Sequence, residues 1–208
     1  MDLESTISKI IQNPLFLKLK SVVENNGYHN HEDAYSHSIK TKDIAQREIT
    51  GEFITNPLAK DLFFKFINED ITGIKSADIL ILIALLHDIG KSLPGILKTD
   101  ANVQTSCPGH EQKGSGLVPQ LLQGLSLPDE VISYIAKVIS FHDSFPASYF
   151  ENKVDLNDVK SKSGGLYIEA MFNQYCDCFD AVPYKTAKIE IVNLFNNPEF
   201  YKEPKNAG

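Results

Sequence analysis

The amino-acid sequence predicts an all-α protein folded as a single-domain helical bundle. Apolar residues recur at three- and four-residue spacing through most of the chain, and no stretch alternates cleanly between apolar and polar. The run Ile79–Leu86 is apolar throughout and therefore needs burial on every side. At 208 residues the chain suits one domain with a substantial core, spanning 1–208.

Taken in order, Ser5 is placed to cap a short helix ending at Asn13, and Pro14 opens a second through Leu19, Val22 and Val23 that Gly27 stops. These N-terminal helices occupy about 5–26. Glu32 to Thr50 reads as a helix closed by Gly51, and Pro57 starts an amphipathic one carrying Leu62, Phe63 and Phe66. Ser76 is a candidate N-cap for the apolar run. The stretch from Lys91 to Cys107 has no clear period, and a connection that long is uncommon without a function.

Helices are expected from His110 to about Leu125, with Gly114 and Gly116 allowing close packing, and from Pro128 toward His142. Residues 143–164 read as irregular. A helix from Leu166 through Phe179, a last one from about Thr186 to Phe195 and a loose tail complete the chain.

Composition narrows the function classes. Formal charge is −7, from 20 basic and 27 acidic residues, and Arg47 is the only arginine. Tight nucleic-acid binding, which uses clustered Lys and Arg on phosphates and base edges, is not expected. A small anionic substrate held by a metal remains compatible, because the ion supplies local positive charge. Cys107, Cys176 and Cys178 form neither a C-x-x-C pair nor a disulfide framework, and a reducing cytoplasm is the expected compartment. The N-terminus is acidic, and no apolar run approaches the ~20 residues that span a bilayer.

The apolar run ends in His87-Asp88-Ile89-Gly90-Lys91, so an imidazole and a carboxylate stand at the rim of a core, where their polar atoms need partners. Backbone groups at a helix end can serve. So can a divalent metal, for which imidazole nitrogen and carboxylate oxygen are both ordinary ligands. Of six histidines, His37, His87, His110 and His142 fall at the ends or on the faces of separate predicted helices, the arrangement by which helical proteins assemble metal sites.

The order His37, His87-Asp88, His110, His142, Asp177 resembles that of the HD-domain metal-dependent phosphohydrolases over roughly 28–181. The carrying stretches are Glu32-Asp33-Ala34-Tyr35-Ser36-His37, Leu85-Leu86-His87-Asp88-Ile89-Gly90-Lys91, Gly109-His110-Glu111, Phe141-His142 and Cys176-Asp177. They are most similar to the HD domain attached to bacterial CCA-adding tRNA nucleotidyltransferases, without the nucleotidyltransferase domain. The C-terminal helix and tail, about 185–208, lie beyond the resemblance.

The resemblance implies that His37, His87, Asp88 and Asp177 hold one divalent ion, of Mn, Fe, Co, Ni, Zn or Mg. Asp88 would bridge to a second held by His110 and His142. Such a pair activates a hydroxide that attacks phosphorus in line with the leaving oxygen. A one-ion site, with His110 and His142 as phosphate donors or leaving-group acids, is the alternative. Asp88, Lys91 and His110 are thus the candidate catalytic residues. Lys91 is a substrate-binding candidate if its ammonium reaches a phosphate oxygen, and a solvated lysine otherwise. Asp180 competes with Asp177 as last ligand. Glu32, Asp33 and Glu111 read as helix-start acids, or as partners that hold a ligand histidine's tautomer. His29 and His31 read as surface or substrate-edge residues, and Asp143 as a neighbour of His142.

Within the family, the Gly-Tyr-Pro signature of cyclic-di-nucleotide phosphodiesterases is missing, and Lys91-Ser92 replaces the Glu-Asp pair of the alarmone hydrolases. The longer histidine-rich continuation of the deoxynucleotide triphosphohydrolases is also missing. What remains expected is hydrolysis of a small nucleotide-type phosphate monoester or cyclic diester. The alternatives are a non-catalytic nucleotide-binding or signalling module and an RNA-end-processing partner. The loop 92–107 and the stretch 143–165 are expected to wall the pocket.

Overall fold

The computed structural model describes residues 1–26, 31–151 and 154–202. Helices dominate: α1 Leu3–Gln12, α2 Pro14–Leu17, α3 Ala34–Glu48, α4 Pro57–Ile67, α5 Ser76–Leu86, α6 His110–Leu122, α7 Asp129–Ile139, α8 Leu156–Lys162, α9 Tyr167–Asp177 and α10 Lys185–Phe195. Two small antiparallel hairpins interrupt them, β1 Asp70–Ile71 with β2 Ile74–Lys75 and β3 Lys98–Thr99 with β4 Thr105–Ser106. Among the described residues no helix is long and apolar enough to cross a membrane.

Side-chain caps set the starts of α1, α2, α3, α4 and α8. Asp2, rather than Ser5, caps α1 by accepting the Ser5 amide at 3.2 Å, and Asn13 caps α2 ahead of Pro14. Asp33 accepts the Ser36 amide at 2.9 Å, so α3 begins at Ala34 rather than Glu32. Ser76 is the first residue of α5, not its cap, and the extended residue before it is Lys75.

Three expectations are corrected. The helix from Pro14 stops at Leu17, passes into a 3-10 turn and becomes extended at Val22, and Val23 bridges to Asp33. The stretch 143–164 contains α8, capped by Asp155, and two 3-10 turns. The tail is not loose through its first turn, because Pro198–Tyr201 packs with Phe200 wholly buried. Its ring lies 5.1 Å from that of Phe195.

Helix α5 is the centre of the molecule. Ile79–Leu86 are at most 5% exposed, and burying each large aliphatic side chain contributes roughly 1.5–3 kcal/mol. Beyond Leu86 the chain turns into a 3-10 segment, Ile89–Ser92, against which α6 packs. The approach needs glycine on both sides. A Cβ at Gly90 would fall 1.9 Å from the His110 carbonyl oxygen, and one at Gly114 would fall 2.9 Å from the Gly90 nitrogen. Gly116, expected to share this role, has nothing within 4 Å and faces solvent.

Candidate metal centre

Five segments deliver the six predicted residues to one point. His37 comes from the first turns of α3, His87 and Asp88 from the end of α5, His110 from the first position of α6, His142 from just past α7 and Asp177 from the last position of α9. The Asp177 Oδ1 atom lies 2.7 Å from His37 Nε2 and 3.4 Å from His87 Nε2. Asp88 faces two ways: Oδ2 is 3.4 Å from His87 Nε2 and 3.9 Å from His37 Nε2, while Oδ1 is 3.0 Å from His110 Nε2 and 3.6 Å from His142 Nε2. Three overlapping triads, His37-His87-Asp88, His87-His142-Asp177 and Asp88-His110-His142, each bring ligand atoms within 4.8 Å of one another.

The outward nitrogens explain why the inward ones converge. His87 Nδ1 donates to the Ala84 carbonyl at 2.8 Å, and His110 Nδ1 donates to that of Cys107 at 2.8 Å. The Nδ1 of His37 lies 3.5 Å from the Glu32 carboxylate, and that of His142 lies 3.3 Å from the Asn173 side-chain amide. Turning that amide by half a rotation would let Oδ1, a buried atom with no hydrogen bond, accept from His142. Each imidazole is thereby oriented from behind, leaving Nε2 to face the centre.

The donor set fits a cation. His87 Nε2, His110 Nε2 and both Asp88 oxygens are buried without a hydrogen bond. With the Nδ1 protons of His87 and His110 committed outward, their Nε2 lone pairs face the Asp88 carboxylate, which the Lys91 ammonium meets on Oδ2 alone, and a proton or a metal ion between them relieves that opposition. The electrostatics agree. Burial would lower the His87 pKa, but the Asp88 and Asp177 carboxylates push it up to about 10. His37 and His110 are also raised against burial, by Asp177 and Glu32 and by Asp88 respectively. Burial would raise both aspartates, yet Lys91 and His87 hold Asp88 low, and His87 and His37 hold Asp177 low.

Lys91 is not a solvated lysine. It is 4% exposed, with Nζ 3.0 Å from Asp88 Oδ2 and in an ion pair with Glu24. The 3-10 turn produces this by placing Lys91 three residues after Asp88 on a tight backbone, and the two carboxylates raise its pKa against burial. Asp180 stands apart from the centre, paired with Lys40 at 3.1 Å on the surface. Asp33 serves as a cap, whereas Glu32 reaches His37. Glu111 and Asp143 each place an oxygen 3.7 Å from His110 Nδ1. His31 is exposed, and His29 lies outside the described residues.

Glu24 and Asn173 are the site residues that sequence reasoning missed. Glu24 precedes Lys91 by 67 positions and carries no motif. Asn173 had one available signal, an amide set among Met171, Phe172 and Tyr175 on α9.

A cavity of about 400 Å³ opens over the centre. The loop 92–107 walls it through Asp100 and the β4 side of the hairpin. The stretch 143–165 contributes Asp143, while Cys178, Ala181 and Tyr184 supply the wall expected from the rest of that stretch.

An all-helical body with this His-Asp centre defines the class: the chain belongs to the HD domain family, matched over residues 34–181. Metal-dependent phosphohydrolysis is the general chemistry of that family. The chain is also 32% identical over 98 residues to the multifunctional CCA protein of Teredinibacter turnerae. That match covers 47% of this chain and 23% of the length of the relative.

Proposed function

We propose that this protein is a metal-dependent phosphohydrolase acting on a small nucleotide-type phosphate monoester or cyclic diester. The observation that carries the reading is the set of buried, unbonded Nε2 and carboxylate oxygen atoms turned toward one another around Asp88. His37, His87, Asp88 and Asp177 would hold one divalent ion, and Asp88, His110 and His142 a second. When bound, such ions lower the pKa of a water and neutralise phosphoryl oxygens.

The protein's own groups do the rest. Lys91 keeps Asp88 ionised and oriented, and retains a proton beyond its two carboxylates for a phosphate oxygen. The outward Nδ1 bonds of His87 and His110 fix their tautomers. Hydrolysis adds hydroxyl to phosphorus and a proton to the leaving oxygen. In a one-ion arrangement His110 would give that proton and His142 would hold the phosphate, and metal counting separates one ion per chain from two.

The test is phosphate release, or ring opening of 2′,3′-cyclic nucleotides, across a nucleotide panel with Mn, Co, Ni, Zn and Mg supplied in turn. His87→Ala and Asp88→Ala should each abolish it. Activity surviving both substitutions, or none on any substrate with any metal, defeats the reading. In the second case, metal content below about a tenth of an ion per chain, with no stabilisation by added metal, would favour a non-catalytic binding module.

The CCA-protein match supports a second reading, that the chain assists processing of RNA ends. Its net charge of −7 opposes this. Absent or salt-insensitive tRNA binding would remove it.

A further inference from the structure

We infer that Glu24 restricts the pocket to substrates bearing a single phosphoryl group. Lys91 is the only lysine or arginine among the described residues that line the cavity, against the carboxylates of Glu24, Asp88, Asp100, Asp143 and Asp177. One ammonium thus faces five carboxylates, and two divalent ions at the centre would bring the lining only to neutrality. A cyclic diester carries one negative charge and a monoester up to about two. Those are charges that the ions and the spare Lys91 proton can meet. A di- or triphosphate extends further charged groups toward a wall whose described residues hold no second lysine or arginine to receive them.

Glu24 creates this condition. Asp88 alone would neutralise Lys91, so the second carboxylate leaves the trio with a net negative charge. Nor is Glu24 an incidental surface acid. It is 4% exposed, and its segment is pinned from two sides. The Glu24 amide donates to the Glu32 carbonyl at 3.3 Å, and the Glu24 carbonyl accepts from His31 at 3.1 Å. The next residue, Asn25, accepts the Thr105 amide at 3.0 Å, tying the segment to the β3–β4 hairpin. A buried carboxylate held this firmly on the one lysine among the described lining residues removes the charge that a second phosphoryl group would use.

The inference rests on the hydrolase reading for where phosphate sits, and it is tested by binding rather than turnover. Orthophosphate, pyrophosphate and tripolyphosphate are titrated calorimetrically into manganese-loaded protein, and bound manganese is counted before and after. Orthophosphate should bind at least about tenfold more tightly than either longer ion. Glu24→Gln should narrow that gap by about tenfold at unchanged manganese content. Equal binding of all three by the wild type, or an unchanged ratio in the folded variant, overturns the inference and leaves the hydrolase reading standing. No binding of any of the three overturns both. Should Glu24→Gln fail to fold, Gln104→Lys adds a cation to the same wall and should favour tripolyphosphate over orthophosphate by about tenfold. A ratio unmoved there also overturns the inference.

Discussion

Gly90 and His110 approach so closely that a single methyl group on Gly90 would lie 1.9 Å from the His110 carbonyl oxygen. The contact is backbone against backbone, so no side-chain rotation relieves it, and it is what brings the His110 ring to Asp88. Overpacking of this kind costs about 3 kcal/mol. Gly90→Ala should therefore lower the melting temperature by roughly 6–12 °C and reduce metal binding by displacing His110. Gly116→Ala, on the same helix with open space around it, should gain up to about 1 kcal/mol from helix propensity. Thermal melts of the two variants check the pair, and equal effects would contradict the packing argument.

Adjacent acids at the start of α3 have separate tasks. Glu32 lies 3.5 Å from His37 Nδ1, whereas Asp33 accepts the Ser36 amide and hydroxyl. Glu32→Gln should weaken metal affinity by roughly 10–100-fold with little change in metal-free stability. Asp33→Ala should cost about 1 kcal/mol of stability with affinity nearly intact. Metal titration beside a melting curve distinguishes them, and a reversed pattern would exchange the two roles.

The contrast between neighbours such as these marks what the sequence made legible. The apolar run into His87-Asp88 announces a buried helix ending in polar groups because eight consecutive apolar side chains, seven of them Ile or Leu, have no solvated alternative. The spacing of histidines and glycines outlines the rest. Hidden from sequence were the partners behind the imidazoles, since Ala84 and Cys107 contribute backbone carbonyls that no residue type advertises. Glu24 was hidden for another reason: its pairing with Lys91 depends on how the chain between them folds back. The β3–β4 hairpin escaped notice because two-residue strands are too short to show a period. Helix α8 was obscured by the polar residues and glycines around it.

Glu169 gives the protein a pH-dependent stability separate from the metal centre. It is buried on α9, accepts a hydrogen bond from the Tyr134 hydroxyl, and lies within the field of Glu69. Burial pushes its carboxyl up to about 7 from an ordinary value of 4.5, with Glu69 adding to the rise and a backbone hydrogen bond opposing it. The folded chain therefore keeps a proton that the unfolded chain has released. Its stabilising contribution is complete below 4.5 and is lost as pH rises through 7. The loss is about 3 kcal/mol. Glu169→Gln, which cannot titrate, should remove this component. The wild-type melting temperature should fall relative to the variant by roughly 6–12 °C between pH 4.5 and pH 7.5. Parallel curves would show that the carboxyl titrates as it does in the unfolded chain.

Metal binding should itself stabilise the fold, because the opposed lone pairs around Asp88 exist only in the folded chain. At free metal about a hundredfold above the dissociation constant, stability should rise by about 2.7 kcal/mol, a melting shift of roughly 5–11 °C. A chelator should reverse it. Asp177→Asn should reduce the shift sharply, since its Oδ1 contacts both His37 and His87. Asp180→Asn should leave the shift unchanged, since that carboxylate pairs with Lys40 on the surface. Calorimetry with Mn, Zn and Mg against both variants measures this directly. A shift that survives loss of the Asp177 charge but disappears with that of Asp180 would mean that the last ligand lies three residues further along, in the turn that follows α9.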